Sequence, residues 1–198
     1  MKIICSKTDL LNSVNIVMKA VSSKSTMPIL ECIVIEVKND RIKLTGNDME
    51  LGIETMVKGE VLADGAVAIN AKIFSDIIRK LPDNAITIET DDAFMTHIRC
   101  EKAKFDIAGR NNDEFPLLPK IEKECFIELS QFSLKEIIRQ TVFSISDNES
   151  NKIMTGELFE ITGNELKVVS LDGHRISIRK ITLKESYDPI KVIVPGKP

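Results

Sequence analysis

The chain has no tryptophan and one tyrosine, Tyr187, among 198 residues. With so few large polar rings it offers no platform for stacking the bases of single-stranded nucleic acid. Its four cysteines (Cys5, Cys32, Cys100, Cys125) are scattered without CxxC spacing. Three of them fall in apolar, strand-like runs, where a free thiol behaves as a small hydrophobe; this usage fits a reducing, cytoplasmic setting. The two histidines, His97 and His174, lack ligand spacing, so no metal site is expected. There is no glycine-rich phosphate loop, nucleophile elbow or HExxH pattern. No cofactor is expected. Apolar runs fall far short of a membrane span, and the chain opens on a strand-like KIIC with no signal-peptide pattern. Charge of one sign is also lacking: the net charge of −3 argues against a general polyanion binder, although a local basic face can sit inside an acidic total.

What is present is an internal repeat. Apolar content of 43% suffices for a sizeable core, and residues 2–60 recur at 126–184 under a constant shift of 124. Ile3 maps to Ile127, Leu10 to Leu134, Val14 to Ile138, Ile35 to Phe159, Lys43 to Lys167 and Asp48 to Asp172. Apolar positions stay apolar while surface residues drift. The period exceeds the ~20–50 residues of a solenoid unit, so a whole domain or subdomain is used twice.

Within each copy the pattern alternates between periods. Residues 2–6 read as a strand. Thr8 is the expected N-cap of a helix over about 9–22, with Leu10, Leu11, Val14, Val17, Met18 and Val21 on one face. Strands follow at 30–38 and 41–46 around an Asn39-Asp40 turn, then at 51–58 and 66–69. Asn70 caps a helix over 72–80, with Ile73, Phe74, Ile77, Ile78 and Leu81 inward and Pro82 beyond its end. A meander runs through 85–89, 94–100 and 103–108. Residues 109–123 read as an interdomain linker. The second copy supplies a strand, a helix over 132–145 and strands at 156–162, 165–170, 174–181 and 190–194. The fold class is α+β, with amphipathic helices on one face of antiparallel sheet. The expected domains are 1–120 and 121–198.

Lys72, Arg79 and Lys80 outnumber Asp76 on the second helix, and Lys135 and Arg139 outnumber Glu136 on the third, while acidic residues gather in strands and turns. Two readings stay open: solvated helix faces with basic ends that suit the macrodipole, or a surface that tracks DNA phosphates. Asp172-Gly173-His174-Arg175 could hold an acid/base pair. However, Asp48 occupies the matching place in the first copy, where no histidine is present, so the aspartate is expected to serve a shared turn. No catalytic residue is assigned.

The order of MKIICSKTDLLNSV, Thr26-Met27-Pro28-Ile29-Leu30, Leu44-Thr45-Gly46-Asn47-Asp48, Ile78-Arg79-Lys80-Leu81-Pro82, Asp113-Glu114-Phe115-Pro116, Glu157-Leu158-Phe159-Glu160, Asp172-Gly173-His174-Arg175 and Val192-Ile193-Val194-Pro195 resembles the bacterial sliding-clamp family, the beta subunits of DNA polymerase III. The resemblance implies a DNA-clamp fold: three similar domains per protomer and two protomers head to tail in a ring around duplex DNA, with helices lining the hole. It implies a non-catalytic processivity factor that tethers polymerase and clamp-loader subunits by short peptide motifs. By matching position it places Lys24, Lys72, Arg79, Lys80, Asn148 and Lys152 at the DNA. It places Met154, Leu171, Gly173, His174, Arg175 and Ile176 in a partner-peptide pocket, and the strand with Phe105 and Ile107 at the protomer interface. On this reading the chain holds domain one whole and the first half of domain two.

Overall fold

The structure is a computed structural model and describes residues 1–22, 27–119, 126–148, 151 and 153–196. It divides into two compact units, Met1–Pro119 and Lys120–Pro198.

The first unit contains β1 (Lys2–Ser6), α1 (Lys7–Val17), β2 (Cys32–Lys38), β3 (Arg41–Asn47), β4 (Gly52–Val57), β5 (Gly59–Ala63), β6 (Gly65–Asn70), α2 (Ala71–Lys80), β7 (Ala85–Thr90), β8 (Met95–Cys100) and β9 (Ala103–Ala108). Antiparallel pairing orders them as β5-β1-β7-β8-β9 in one sheet and β4-β3-β2-β6 in the other. Alternate residues of both sheets, among them Ile3, Ile33, Ile35, Leu44, Ile86, Ile88 and Ile98, join Leu10, Val14 and Val17 of α1 and Phe74 and Ile78 of α2 in one core. The β2–β3 hairpin turns at Asn39 and Asp40, both with positive φ, the short-side-chain residues that tolerate this conformation.

Several local expectations shift. The N-cap of α1 is Ser6, not Thr8: Ser6 is extended, and its hydroxyl accepts from the Asp9 N–H at 3.1 Å. Thr8 is already helical and its hydroxyl donates to Asp83 at 3.3 Å. The helix gives way at Met18 to a 3₁₀ turn that ends at Ala20. Asn70 caps α2 as expected, accepting from Ile73 N–H at 3.1 Å, but Ile73 itself is half exposed. The expected strand over 51–58 is β4, and β5 is an additional edge strand whose Glu60-Val61-Leu62 stretch is too short for its alternation to declare itself. The meander is present as β7, β8 and β9.

The expected linker is not a linker over 109–119. Those residues belong to the first unit and strap its second sheet. Arg110 bridges Ala68 of β6 through two backbone bonds of 2.8 and 3.0 Å. Phe115 is buried among Ile29, Leu30, Cys32, Val34 and Ala68. Pro116 C=O accepts from the Asn47 side-chain amide at 3.0 Å, and Leu118 lies over Gly52. The strap thus crosses β6, β2, β3 and β4 in turn. The rest of the expected linker, 120–123, lies outside the described residues.

The second unit contains α3 (Gln131–Arg139), a 3₁₀ turn at 142–144, β10 (Gly156–Leu171) and β11 (Ile176–Pro195). The helix is shorter than the expected 132–145 because Thr141 leaves helical geometry and turns its hydroxyl back onto Ile137 C=O at 2.7 Å. The four expected strands are runs within two long ones, which pair in two blocks, 156–161 with 190–195 and 165–171 with 176–182, with the register shifting around Gly163. Residues 126–130, expected as a strand, are not assigned as one; Glu128 N–H instead donates to the Tyr187 hydroxyl at 3.1 Å. Ile137, Phe159, Ile161, Leu166, Val168 and Leu183 form the core.

The shift of 124 recurs in three dimensions. Ser6 and Ser130 cap α1 and α3 with nearly identical backbone angles, φ −69° and −68° with ψ 146° in both. The 3₁₀ turns at 18–20 and 142–144 correspond. Ile42 opposite Val57 becomes Leu166 opposite Ile181. Lys43 pairs with Glu36 at 2.9 Å, and Lys167 with Glu160 at 2.8 Å.

Candidate nucleic-acid and peptide interfaces

On α2, Ala71, Phe74, Ser75 and Ile78 face inward. At 100° per residue this leaves Lys72, Asp76, Arg79 and Lys80 within one outward arc, and all four are exposed. Arg79 and Lys80 close the helix, where the backbone carbonyls favour cations, so one placement serves both helix stability and a basic surface. On α3 the charge is less available: Arg139 gives two hydrogen bonds to Glu136, 3.1 and 2.8 Å. Those bonds hold the Glu136 carboxyl below its ordinary range. Asn148 is exposed on the loop after α3. Lys24 and Lys152 lie outside the described residues.

The segment 171–176 is a tight reversal. Leu171 and Ile176 are the last cross-strand pair of β10 and β11. Between them Asp172 Oδ1 accepts from the backbone N–H groups of His174 and Arg175, both at 3.0 Å, and Oδ2 accepts from Arg175 Nε at 2.8 Å. The His174 N–H first, with the Arg175 bonds, holds the Asp172 carboxyl below its ordinary value. The carboxylate is engaged by the turn and by arginine, with no bond to the His174 imidazole, so Asp172 and His174 do not form an acid/base pair. The first copy has the same turn: Asp48 Oδ1 accepts from Glu50 and Leu51 N–H at 2.9 and 2.6 Å, between the final pair Asn47 and Gly52. The shared turn expected from Asp48 and Asp172 is therefore present.

Gly173, His174, Arg175 and Ile176 are exposed and Leu171 is half-buried. Met154 is brought to the same unit by two backbone bonds, its C=O accepting from Ser146 at 2.8 Å and its N–H donating to Asn151 at 3.0 Å. In the first unit β9 is the sheet edge. Phe105 is partly exposed there, whereas Ile107 is buried in the core opposite Thr96. Beside them Asp106 on β9 binds His97 at 2.7 Å and Arg99 at 2.9 Å, chiefly the former keeping its carboxyl below the ordinary range.

Two features carried no local signal. The strap is one; the Phe-Pro pair was visible, but its seat is made of residues from three distant segments. The other is a buried polar cluster in the second unit, where Thr141 Oγ1 lies within hydrogen-bond distance of Glu157 Oε1, 2.5 Å, and Ser170 Oγ donates to Thr141 C=O at 2.5 Å. Among the described residues, no group of three or more His, Cys, Asp or Glu is gathered as a metal site, and no helix is long and apolar enough to cross a membrane.

Residues 1–119 match the family described as DNA polymerase III beta subunit, N-terminal domain, and residues 128–198 match its central domain. The chain is 38% identical to the beta sliding clamp of Halalkalibacterium halodurans over 196 residues, covering 93% of this chain and 52% of that protein. It is 37% identical to the beta sliding clamp of Bacillus subtilis, covering all of this chain and 54% of that one. It superimposes with a TM-score of 0.95 on a crystal structure from Eubacterium rectale titled a putative DNA polymerase III beta subunit, at 61% identity over 99% of this chain and 54% of that one. The DNA polymerase sliding clamp from Bacillus subtilis gives a TM-score of 0.92 at 36% identity. The chain spans about half the length of the curated relatives it matches. On the strength of both domain matches, the chain belongs to the DNA polymerase III beta subunit family.

Proposed function

We propose that this chain serves in a DNA sliding clamp, a non-catalytic processivity factor that holds the replicative polymerase on duplex DNA. The observation that carries the reading is α2, which turns Lys72, Arg79 and Lys80 to one side while its apolar face is spent on the core. Cations on flexible stems track phosphates without reading sequence, which is what sliding requires. By matching position in the family, Lys24, Asn148 and Lys152 are further DNA contacts on this reading. The reversal at Gly173–Ile176, with Met154 and Leu171, is the docking place for short peptide motifs of polymerase and clamp-loader subunits. The β9 edge with Phe105 is the protomer contact of a head-to-tail dimer, its unpaired backbone groups offering ladder bonds to a second chain; Ile107 supports that edge from the core.

The experiment is duplex binding by anisotropy at several salt concentrations, for the chain and for a Lys72→Ala, Arg79→Ala, Lys80→Ala variant. Affinity should fall equally for unrelated sequences. The salt slope should shrink by about 0.9 for each phosphate that the variant no longer neutralises. An unchanged affinity and slope would remove α2 from the DNA surface.

A further inference from the structure

One layer inside the second unit is built from hydroxyls where the first unit uses hydrocarbon. Under the shift of 124, Thr141, Ser144, Ser170 and Ser177 take the places of Val17, Ala20, Gly46 and Ile53. The first-unit side chains have no hydrogen-bonding group, and there the end of α1 meets β3 by bare approach: a Cβ on Gly46 would lie 2.5 Å from the Val17 carbonyl oxygen. In the second unit Ser170 Oγ donates to Thr141 C=O at 2.5 Å, and the Ser144 and Ser177 hydroxyls share a bond of 2.6 Å. Thr141, Ser144 and Ser170 are buried. Ser170 and Ser177 are cross-strand partners, one rung before the closing pair Leu171 and Ile176. Both strands are therefore gripped at the root of the reversal, and by the same short segment that follows α3. That segment continues to Ser146, whose N–H donates to Met154 C=O at 2.8 Å.

We propose that Ser170 and Ser177, acting through Thr141 and Ser144, are positioning residues for the reversal 171–176: they hold it in one register against the end of α3, so that it meets a partner peptide already ordered. The inference rests on the reading of residues 171–176 as the partner-docking loop and deepens it. Hydrocarbon at these places would stabilise the unit at least as well, because a buried hydroxyl gains little beyond what its hydrogen bond returns. What the hydroxyls add is direction. Apolar side chains tolerate small slides past one another, whereas a short hydrogen bond is satisfied in one geometry. The reversal needs such a hold. Gly173 at its tip has φ 89°, and a Cβ there would meet nothing within 4 Å. Leu171 has no amide with which to repeat the bond from Asn47 to Pro116 C=O that ties the first turn. A loop ordered before binding loses less affinity to ordering when the peptide arrives.

The test compares Ser170→Ala, the double variant Ser144→Ala with Ser177→Ala, and Ser177→Thr, all in the full chain. Neither removal strands a buried group: Thr141 C=O still accepts from Ser144 N–H at 3.1 Å, and the double variant removes both members of its pair. Hydrogen exchange of the His174 and Arg175 amides, which Asp172 holds, should quicken by about tenfold in the two alanine variants while residues 158–168 exchange as in the parent. Ser177→Thr keeps the hydroxyl and should match the parent. Docking is read with short synthetic peptides tiled across the cognate polymerase subunit. The tightest of them should protect 171–176 from exchange, and should bind the alanine variants about three- to tenfold more weakly than the parent or Ser177→Thr. Unchanged exchange at His174 and Arg175 overturns the proposal, as does a rise spread evenly over the second unit, which marks an ordinary core contact. A local rise with unchanged peptide affinity also overturns it, and leaves the docking loop standing. If no peptide of the set protects 171–176 in the parent, the docking reading itself fails and the proposal falls with it.

Discussion

Met49 and Gly173 hold the same left-handed position in two copies of one turn, with φ of 76° and 89°. In each turn an aspartate side chain, Asp48 or Asp172, gathers the backbone N–H groups that follow. Only one of the two copies uses the residue that adopts this conformation freely.

That asymmetry predicts opposite responses. A Cβ at Gly173 would meet nothing within 4 Å, so Gly173→Ala incurs the backbone strain of the left-handed region, about 1–2 kcal/mol, partly offset by the freedom that alanine removes from the unfolded chain, for a net loss of about 0.5–1 kcal/mol. Met49→Gly relieves the same strain but adds freedom to the unfolded chain, leaving a net gain of about 0.5 kcal/mol. Urea melts of the two variants check both signs.

The strap should behave as core. Phe115→Ala should cost about 3–4 kcal/mol through lost burial and a residual cavity. Gly52→Ala should cost about 1–2 kcal/mol by pressing on Leu118. Adding Leu118→Ala should recover part of that second loss, a non-additivity confined to residues that touch. Equal and additive losses in denaturation would show that the strap is loosely held.

Burial raises the Glu157 carboxyl above its ordinary 4.5, with the bond from Thr141 opposing. The folded state then binds more protons than the unfolded state just above pH 4.5, so this group's contribution to stability falls as pH rises from there through the raised value and stays lost above it. Glu157→Gln keeps an acceptor for Thr141 and removes the charge. Its melting temperature should exceed that of the parent at pH 7.5 and converge with it near pH 4.

The caps separate two serines from a threonine. Ser6→Ala and Ser130→Ala should each cost about 1 kcal/mol by leaving a first-turn N–H without its acceptor. Thr8→Ala, an exposed position inside the helix, should stay within about 0.5 kcal/mol. Thermal melts at one pH suffice to rank them.

Much of the fold was legible because it is local. The hairpin at Asn39-Asp40, the Asn70 cap and the three strands after Pro82 each declare themselves within a few residues. The repeat is legible because apolar periodicity at Ile35 and Phe159, or Leu44 and Val168, survives when surface residues change. The outward arc of Lys72, Arg79 and Lys80 follows from helical spacing alone. The choice of Ser6 over Thr8 was not legible: both are good caps, and β1, held between β5 and β7, fixes where the chain leaves extended geometry.

The sequence by itself determined the duplicated α+β units, the turn shared by Asp48 and Asp172, and the basic face of α2. Periodicity and turn chemistry act between near neighbours, so they can be read along one dimension. Tertiary structure alone decided that Asn111–Leu118 is a strap and not a linker, and that β5 closes an edge of the first sheet. Each of these depends on which distant residues come to lie opposite one another. A Phe-Pro pair reads the same whether it is in solvent or in a core, until Ile29, Cys32, Val34 and Ala68 are brought together beneath it.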